Sequence, residues 1–178
     1  MDFGFPAMFA LIWLAAQREF LLMTLDVCLL HECGHALAMH LTGAGLREIR
    51  LGAAGMQMRT DTAILPRGKL LCIYLSGPAV NLTFAAIFWH ISLELAMLHL
   101  CMGLFNLLPY RMLDGGAVLR SFPRCEGFRR IACIFLTVGM TGFAISHALR
   151  NPVLYLMAGY LLLSEFLEPD TTKKLPIA

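Results

Sequence analysis

Long apolar stretches separated by short polar connectors constrain this chain more than any other feature of its sequence. With 58% hydrophobic residues, 15% charged residues and a mean hydropathy of +0.70, the chain is too apolar for an ordinary soluble domain. About 20 apolar residues suffice for a helix that crosses a bilayer. The sequence therefore predicts an all-α polytopic membrane protein with about six transmembrane helices, near residues 3–16, 20–41, 69–90, 93–108, 131–149 and 153–167.

The basic residues indicate how such helices are oriented. With six spans, all but Arg18 and Arg150 of the 14 lysines and arginines fall on one side of the membrane. The positive-inside rule makes that side cytoplasmic. The first apolar stretch lacks a basic leader, so we expect a retained span and not a signal peptide. The sequence predicts a multi-pass protein of the cell membrane with both termini in the cytoplasm, formed by one transmembrane domain (1–170) and a polar tail (171–178).

Two segments depart from simple apolar helices. Between residues 45 and 67, short alternating pieces separated by Gly-Ala-Ala-Gly are typical of a small β-hairpin at the cytoplasmic membrane face, although a polar connector remains open. Gly77-Pro78 lies inside the third apolar stretch. Because proline removes a backbone donor, we expect a kink or a helix junction there.

Residues 29–38 read LLHECGHALA. On a helix, His31 and His35 project from one face a turn apart, so both imidazoles can reach a single metal ion. Glu32 lies beside His31, where its carboxylate could take a proton from an attacking water. This is the H-E-x-x-H pattern of zinc-dependent peptidases. Ionisable groups are costly at membrane depth, so three of them in one turn indicate function.

A catalytic zinc ion takes three protein ligands and keeps one position open, so the two histidines need a third partner. Asp114 is preferred because it lies in a glycine-bearing turn after a helix that Pro109 should break. The other candidates in apolar or loop segments are Asp26, Cys33, His40, Glu94, His99, His147 and Glu165.

Three motifs, taken in their order along the chain, resemble those of the site-2 protease family of intramembrane zinc peptidases. The resemblance is strongest to the sporulation branch, stage IV sporulation protein FB, which processes a pro-sigma factor; we expect its membrane core alone, without the nucleotide-binding domain. The motifs are His31-Glu32-Cys33-Gly34-His35, then Gly77-Pro78 with Asn81, then Asn106-Leu107-Leu108-Pro109 followed by Leu113-Asp114-Gly115-Gly116.

The resemblance implies one zinc ion held by His31, His35 and Asp114. It also implies that Glu32 is the catalytic base, which takes a proton from water and returns it to the leaving amine. A zinc metalloendopeptidase with these residues would hydrolyse a membrane-associated protein near the cytoplasmic face. A membrane-tethered pro-sigma or anti-sigma factor is the kind of substrate implied.

The remaining predicted site residues concern substrate binding. The resemblance implies that Asn106 binds substrate or donates to the oxyanion, although an asparagine at a helix end also caps local backbone. We expect Gly77, Pro78 and Asn81 to contact substrate as well.

The predicted partners are the protein substrate, the lipid bilayer and regulatory membrane proteins. No basic stripe is interleaved with aromatic residues, so nucleic acid is not expected. One alternative is a non-catalytic membrane protein, with a structural metal or with bound client transmembrane segments. Glu32 argues against it, because a structural metal site has no use for a base. A prenyl-protein peptidase, with Glu94 or Glu165 as a ligand, is a second alternative.

Overall fold

The computed structural model describes residues 18–44, 46–52, 55–60, 65–146, 155 and 159–161, with the backbone alone for 46–60. The predicted first span (3–16), the polar tail and most of 153–167 lie outside these residues. The chain divides into two compact units, Met1–Leu107 and Leu108–Ala178. The single-domain organisation stays a prediction.

The described residues of the first unit form three helices and two strands. Helix α1 is Arg18–Thr42, strands β1 and β2 are Leu46–Gly52 and Gly55–Thr60, and helices α2 and α3 are Arg67–Phe88 and Leu93–Asn106. The second unit contains helix α4, Asp114–Arg120, a 3-10 turn at Pro123–Cys125, and helix α5, Glu126–Ser146.

Among the described helices, α1 and α2 are long and apolar enough to cross a membrane, whereas α3 is apolar but shorter. Only 28% of the most apolar window of either long helix is buried inside the protein, so neither is the core helix of a soluble domain. Large apolar side chains are exposed on all three, including Leu22, Leu29, Leu37, Leu41, Ile87, Leu93 and Leu104. Such a surface suits lipid and supports a membrane protein. The count of six spans stays a prediction.

The buried faces of these helices are built mainly from small and polar residues. Helix α2 contacts both α1 and α3. Membrane helices associate through small residues that let backbones approach and through polar side chains that bond across the contact. The buried residues are Leu21, Val27, His31, Gly34, His35 and Met39 on α1, Ile73, Gly77, Pro78, Asn81 and Ala85 on α2, and Ala96, His99 and Gly103 on α3.

Helices α1 and α2 approach most closely at two glycines. A Cβ atom on Gly34 would lie 2.9 Å from the Ser76 carbonyl oxygen and 3.2 Å from the Cα atom of Gly77. Helix α2 continues through Pro78 as one helix, so the predicted helix junction does not occur. Pro78 is fully buried, and its carbonyl oxygen faces Gly103 of α3. Neighbouring helices make proline tolerable inside a membrane helix.

The end of α1 follows its sequence signal. Gly43 has a φ of +70°, and the amide of Ala44 donates to the carbonyl oxygen of Met39 at 2.9 Å. A glycine in this left-handed conformation is a common helix stop. The Lys69 ammonium donates to the last α1 carbonyl, that of Thr42, at 2.7 Å.

Two paired strands follow α1. They lie in the segment 45–67, for which the sequence left open either a β-hairpin or a polar connector. Strands β1 and β2 form a two-stranded antiparallel sheet. Ile49 pairs with Met58 and Gly52 with Gly55, and the register shifts between Leu46 and Glu48.

In the second unit, α5 holds the turn that precedes α4. Tyr110 is fully buried, and its hydroxyl lies 2.6 Å from Oγ1 of Thr137. Arg129 is also fully buried, donates to the carbonyl oxygen of Pro109 at 3.2 Å and pairs with Glu126 at 2.9 Å. The polar residues of this turn are therefore anchored inside the unit.

Candidate metal centre

His31 and His35 are brought together on the buried face of α1. Their Nε2 atoms lie 3.2 Å apart, and the rings meet edge to face at 80°. Two nitrogens bound tetrahedrally to one zinc ion at about 2.0–2.1 Å would lie about 3.3 Å apart. The spacing of the two nitrogens therefore fits a shared zinc ion.

Gly77 of α2 packs directly against the two imidazole rings. A Cβ atom at this position would lie 2.8 Å from Nε2 of His31 and closer still to Nε2 of His35. Any side chain at Gly77 would therefore clash with both rings. The close approach of α2 to the two histidines requires glycine at this position.

The ring of His35 is oriented by the backbone of α2. Its Nδ1 atom lies 2.7 Å from the carbonyl oxygen of Ile73, which also accepts a bond from the Ser76 hydroxyl at 2.7 Å. A carbonyl oxygen only accepts, so Nδ1 carries the proton and the lone pair of His35 is at Nε2. Metal-binding histidines are commonly held in this way.

The ring of His31 is held by a side chain. Its Nδ1 atom lies 3.1 Å from the carboxamide nitrogen of Asn81 on α2. The carboxamide oxygen of Asn81 lies 3.2 Å from Nδ1 of His99 on α3. Asn81 and His99 are 0% and 1% exposed, so this contact chain is sealed from solvent.

The two residues proposed for chemistry differ in their surroundings. Glu32 is half-buried on α1, next to His31. Asn106 is the last residue of α3, and its amide donates to the carbonyl oxygen of Met102 at 3.1 Å. This is the local backbone bond that the sequence left open as the alternative for Asn106.

Asp114 lies in the second unit as the half-buried first residue of α4. A carboxylate at this place is favoured by the partial positive charge of a helix N-terminus. A side chain on Gly116 would clash with the carbonyl oxygen of Tyr110, so the turn can fold back on α4 only with glycine there. Arg120 donates to the carbonyl oxygen of Arg111 and ties the end of α4 to the same turn.

The contacts of Gly77, Pro78 and Asn81 are with the protein itself. Gly77 faces the two histidines, Pro78 faces α3, and Asn81 links His31 to His99. Their contact with substrate stays a prediction. From the sequence, His99 was only an alternative third ligand, and its contact with Asn81 was not predicted. The available signal was two polar residues inside consecutive apolar stretches.

The chain has the fold of a site-2 protease. It matches the Site-2 Protease from Methanocaldococcus jannaschii with a TM-score of 0.65, over 95% of this chain and 89% of that chain, at 22% sequence identity. At this identity the likeness establishes the fold alone. No protein-family profile matches the chain.

The sequence is also similar to Rip3 of Mycobacterium tuberculosis, which carries the name of a zinc metalloprotease. The two are 28% identical over 136 residues, in each of two strains. The match takes in 67% of this chain and 34% of the relative, so the chain spans about a third of the length of the curated relatives it matches. Neither comparison singles out the sporulation branch.

Proposed function

We propose that the protein is an intramembrane zinc metalloendopeptidase of the site-2 protease family. The observation that carries this proposal is the pair of Nε2 atoms 3.2 Å apart on His31 and His35, packed against Gly77. The resemblance to the sporulation branch makes a membrane-tethered pro-sigma or anti-sigma factor the first substrate class to test. We place the protein in the cell membrane as a multi-pass protein with cytoplasmic termini.

Asp114 is our proposed third ligand, and one zinc ion our proposed cofactor. This assignment rests on the Leu113-Asp114-Gly115-Gly116 motif and on the need of a catalytic zinc ion for three protein ligands. A bound zinc ion would polarise the scissile carbonyl and make water nucleophilic at neutral pH.

Glu32 would act as general base and then as general acid. Its carboxylate would accept a proton from the attacking water and return it to the leaving amine. Asn106 would donate to the oxyanion. Its amide nitrogen carries two hydrogens and the bond to Met102 uses one, so a second bond to substrate is chemically available.

The β1–β2 sheet supports a way of presenting substrate. A helical transmembrane segment hides its peptide bonds in its own hydrogen-bond ladder, so cleavage requires local unwinding. An unwound strand could pair with an outer edge of the two-stranded sheet. Deleting residues 46–58 should then slow cleavage or move the cut. An unchanged rate at an unchanged site would remove the sheet from the proposal.

The proposed function is tested by one substitution with a matched control. Tagged, membrane-tethered pro-sigma and anti-sigma factors would be co-expressed with the wild type, with Glu32→Gln or with Glu19→Gln, and cleavage followed by immunoblotting. Glu19 is an exposed residue at the start of the same helix. We expect cleavage with the wild type and with Glu19→Gln. Glu32→Gln should lose cleavage by at least about 100-fold, because general acid–base catalysis contributes that much or more.

The zinc content of the purified Glu32→Gln protein completes this test. Since Glu32 is proposed to move protons and not to bind zinc, we expect the variant to keep its zinc. Normal cleavage by Glu32→Gln would contradict its assignment as the base.

A further inference from the structure

The two histidines of the metal centre are oriented by different kinds of group. A backbone carbonyl, that of Ile73, contacts Nδ1 of His35 and can only accept. A carboxamide, that of Asn81, contacts Nδ1 of His31 and can either donate or accept, depending on which of its two atoms faces the ring. The Ile73 carbonyl therefore allows one arrangement at Nδ1 of His35, whereas the Asn81 carboxamide allows two at Nδ1 of His31.

Metal binding requires one of the two orientations of Asn81. If the amide nitrogen faces His31, it donates to Nδ1, the ring proton is at Nε2, and Nε2 cannot bind a metal ion. If the oxygen faces His31, Nδ1 donates to it and the lone pair is at Nε2. The structure places the amide nitrogen toward His31 and the oxygen toward His99, and a half-turn of the carboxamide about its terminal bond gives the arrangement that metal binding requires. A further group has to select between the two arrangements.

His99 is placed to make this selection. Its Nδ1 atom lies 3.2 Å from the other end of the same carboxamide. When Nδ1 of His99 accepts, the amide nitrogen of Asn81 faces it and the oxygen faces His31. When Nδ1 of His99 donates, the oxygen of Asn81 faces it and the nitrogen faces His31. The proton position on His99 therefore decides the orientation of Asn81. The ring of His99 is held in its plane by stacking on Phe84 and Phe88, with centroids 5.4 and 5.8 Å away.

From these contacts we propose that Asn81 and His99 are positioning residues for the metal ion. His99 sets the orientation of the Asn81 carboxamide, and Asn81 in turn holds the His31 proton at Nδ1, so that Nε2 is the ligand atom. Two side chains, one from α2 and one from α3, would then control one metal ligand on α1. This inference rests on the proposed function, because it presumes that His31 binds zinc.

Zinc affinity tests the inference without any substrate. Purified full-length proteins would compete for zinc with a chromophoric chelator. We expect Asn81→Leu to weaken zinc binding by about 10–100-fold, the usual effect of removing a group that orients a metal ligand. His99→Leu should also weaken it, but by less, since Asn81 then adopts both orientations. The control His90→Leu, at an exposed position in the turn after α2, should stay within about twofold of the wild type.

Two further variants separate positioning from general packing. His99→Gln offers Asn81 an acceptor oxygen, so it should bind zinc more tightly than His99→Leu. Because His99 acts through Asn81, the double variant Asn81→Leu/His99→Leu should bind zinc no more weakly than Asn81→Leu alone. Thermal unfolding of the zinc-free proteins would measure packing losses separately.

The outcomes distinguish the positioning role of Asn81 and His99 from the proposed function. Losses that add in the double variant, or single variants with wild-type zinc affinity, would overturn the positioning role and leave the proposed function standing. Failure of His99→Gln to bind zinc more tightly than His99→Leu would overturn the role of His99. A wild-type protein without measurable zinc binding would overturn the proposed function and this inference together.

Discussion

Gly77 determines how closely α2 can approach the two histidine rings. A Cβ atom there would clash with both Nε2 atoms. A methyl group would therefore displace the proposed ligand atoms and not merely loosen the helix contact. The glycine is therefore needed for the site's chemistry as much as for the α1–α2 approach.

We expect Gly77→Ala to abolish stoichiometric zinc binding, with a loss above the about 10–100-fold typical of changes behind a ligand. The matched control is Gly68→Ala in the same helix, where a Cβ atom meets nothing within 4 Å. The measurement is zinc bound per chain after purification. Equal zinc in the two variants would contradict this role of Gly77.

Among individual residues, the sequence predicted the metal-binding side chains better than the residues that orient them. The His31 and His35 pairing follows from helical spacing alone. The roles of Asn81 and His99 depend on which helices become neighbours, and local spacing carries no such information. The contacts of Asn81 with two histidines were accordingly not predicted, and its contact with substrate stays a prediction.

Among the elements, α5 is the support of the turn that carries Asp114. Its residues Arg129 and Thr137 contact Pro109 and Tyr110 within the second unit. A buried arginine is costly without an opposite charge, and Glu126 supplies that charge one turn earlier. The strength of this pair should therefore influence the stability of the unit.

The ion pair between Glu126 and Arg129 predicts that the stability of the folded protein depends on pH. Glu126 lies outside the predicted membrane spans, because it precedes the span 131–149. Hydrogen bonds from Arg129, aided by Arg130, lower the pKa of the Glu126 carboxyl from its ordinary value of 4.5 to about 2. A lowered pKa means that the pairing stabilises the folded state fully above pH 4.5, and that this stabilisation is lost as the pH falls toward 2.

Thermal unfolding in detergent between pH 7 and pH 3 would measure this effect for the wild type and Glu126→Gln. We expect the wild type to be the more stable at neutral pH, with a difference that narrows as the pH falls below 4.5. Glu19→Gln, at an exposed site on α1, is the matched control and should show no such narrowing. A constant difference for Glu126→Gln across the range would contradict the role of the ion pair.

Element boundaries were predictable where a local signal exists. Gly43 ends α1, and Pro109 follows the end of α3, as their conformational limits require. At Pro78 the neighbours decide the outcome: packed against Gly103, it remains inside a continuous helix without a junction, and the kink expected there stays a prediction. Proline thus acts as a helix stop at one position and as a helix residue at another.

For the whole molecule, large apolar residues cover the described helices of the first unit, and small and polar residues fill their contacts. The apolar stretches of the sequence predicted this class of protein, because hydropathy reports directly on the solvent that a helix face meets. The number of spans, the cytoplasmic termini and the sporulation branch remain predictions. The number of spans and the side of the termini depend on the bilayer, and the sporulation branch depends on the substrate.

The central claim is that two histidines of α1 hold a zinc ion with Asp114 as third ligand. Elemental analysis of purified protein, as moles of zinc per mole of chain, tests it most directly. We predict about one zinc ion in the wild type, almost none in His31→Ala/His35→Ala, and a weakened, readily chelated ion in Asp114→Asn. Wild-type protein without stoichiometric zinc, or full zinc in the double histidine variant, would contradict the account.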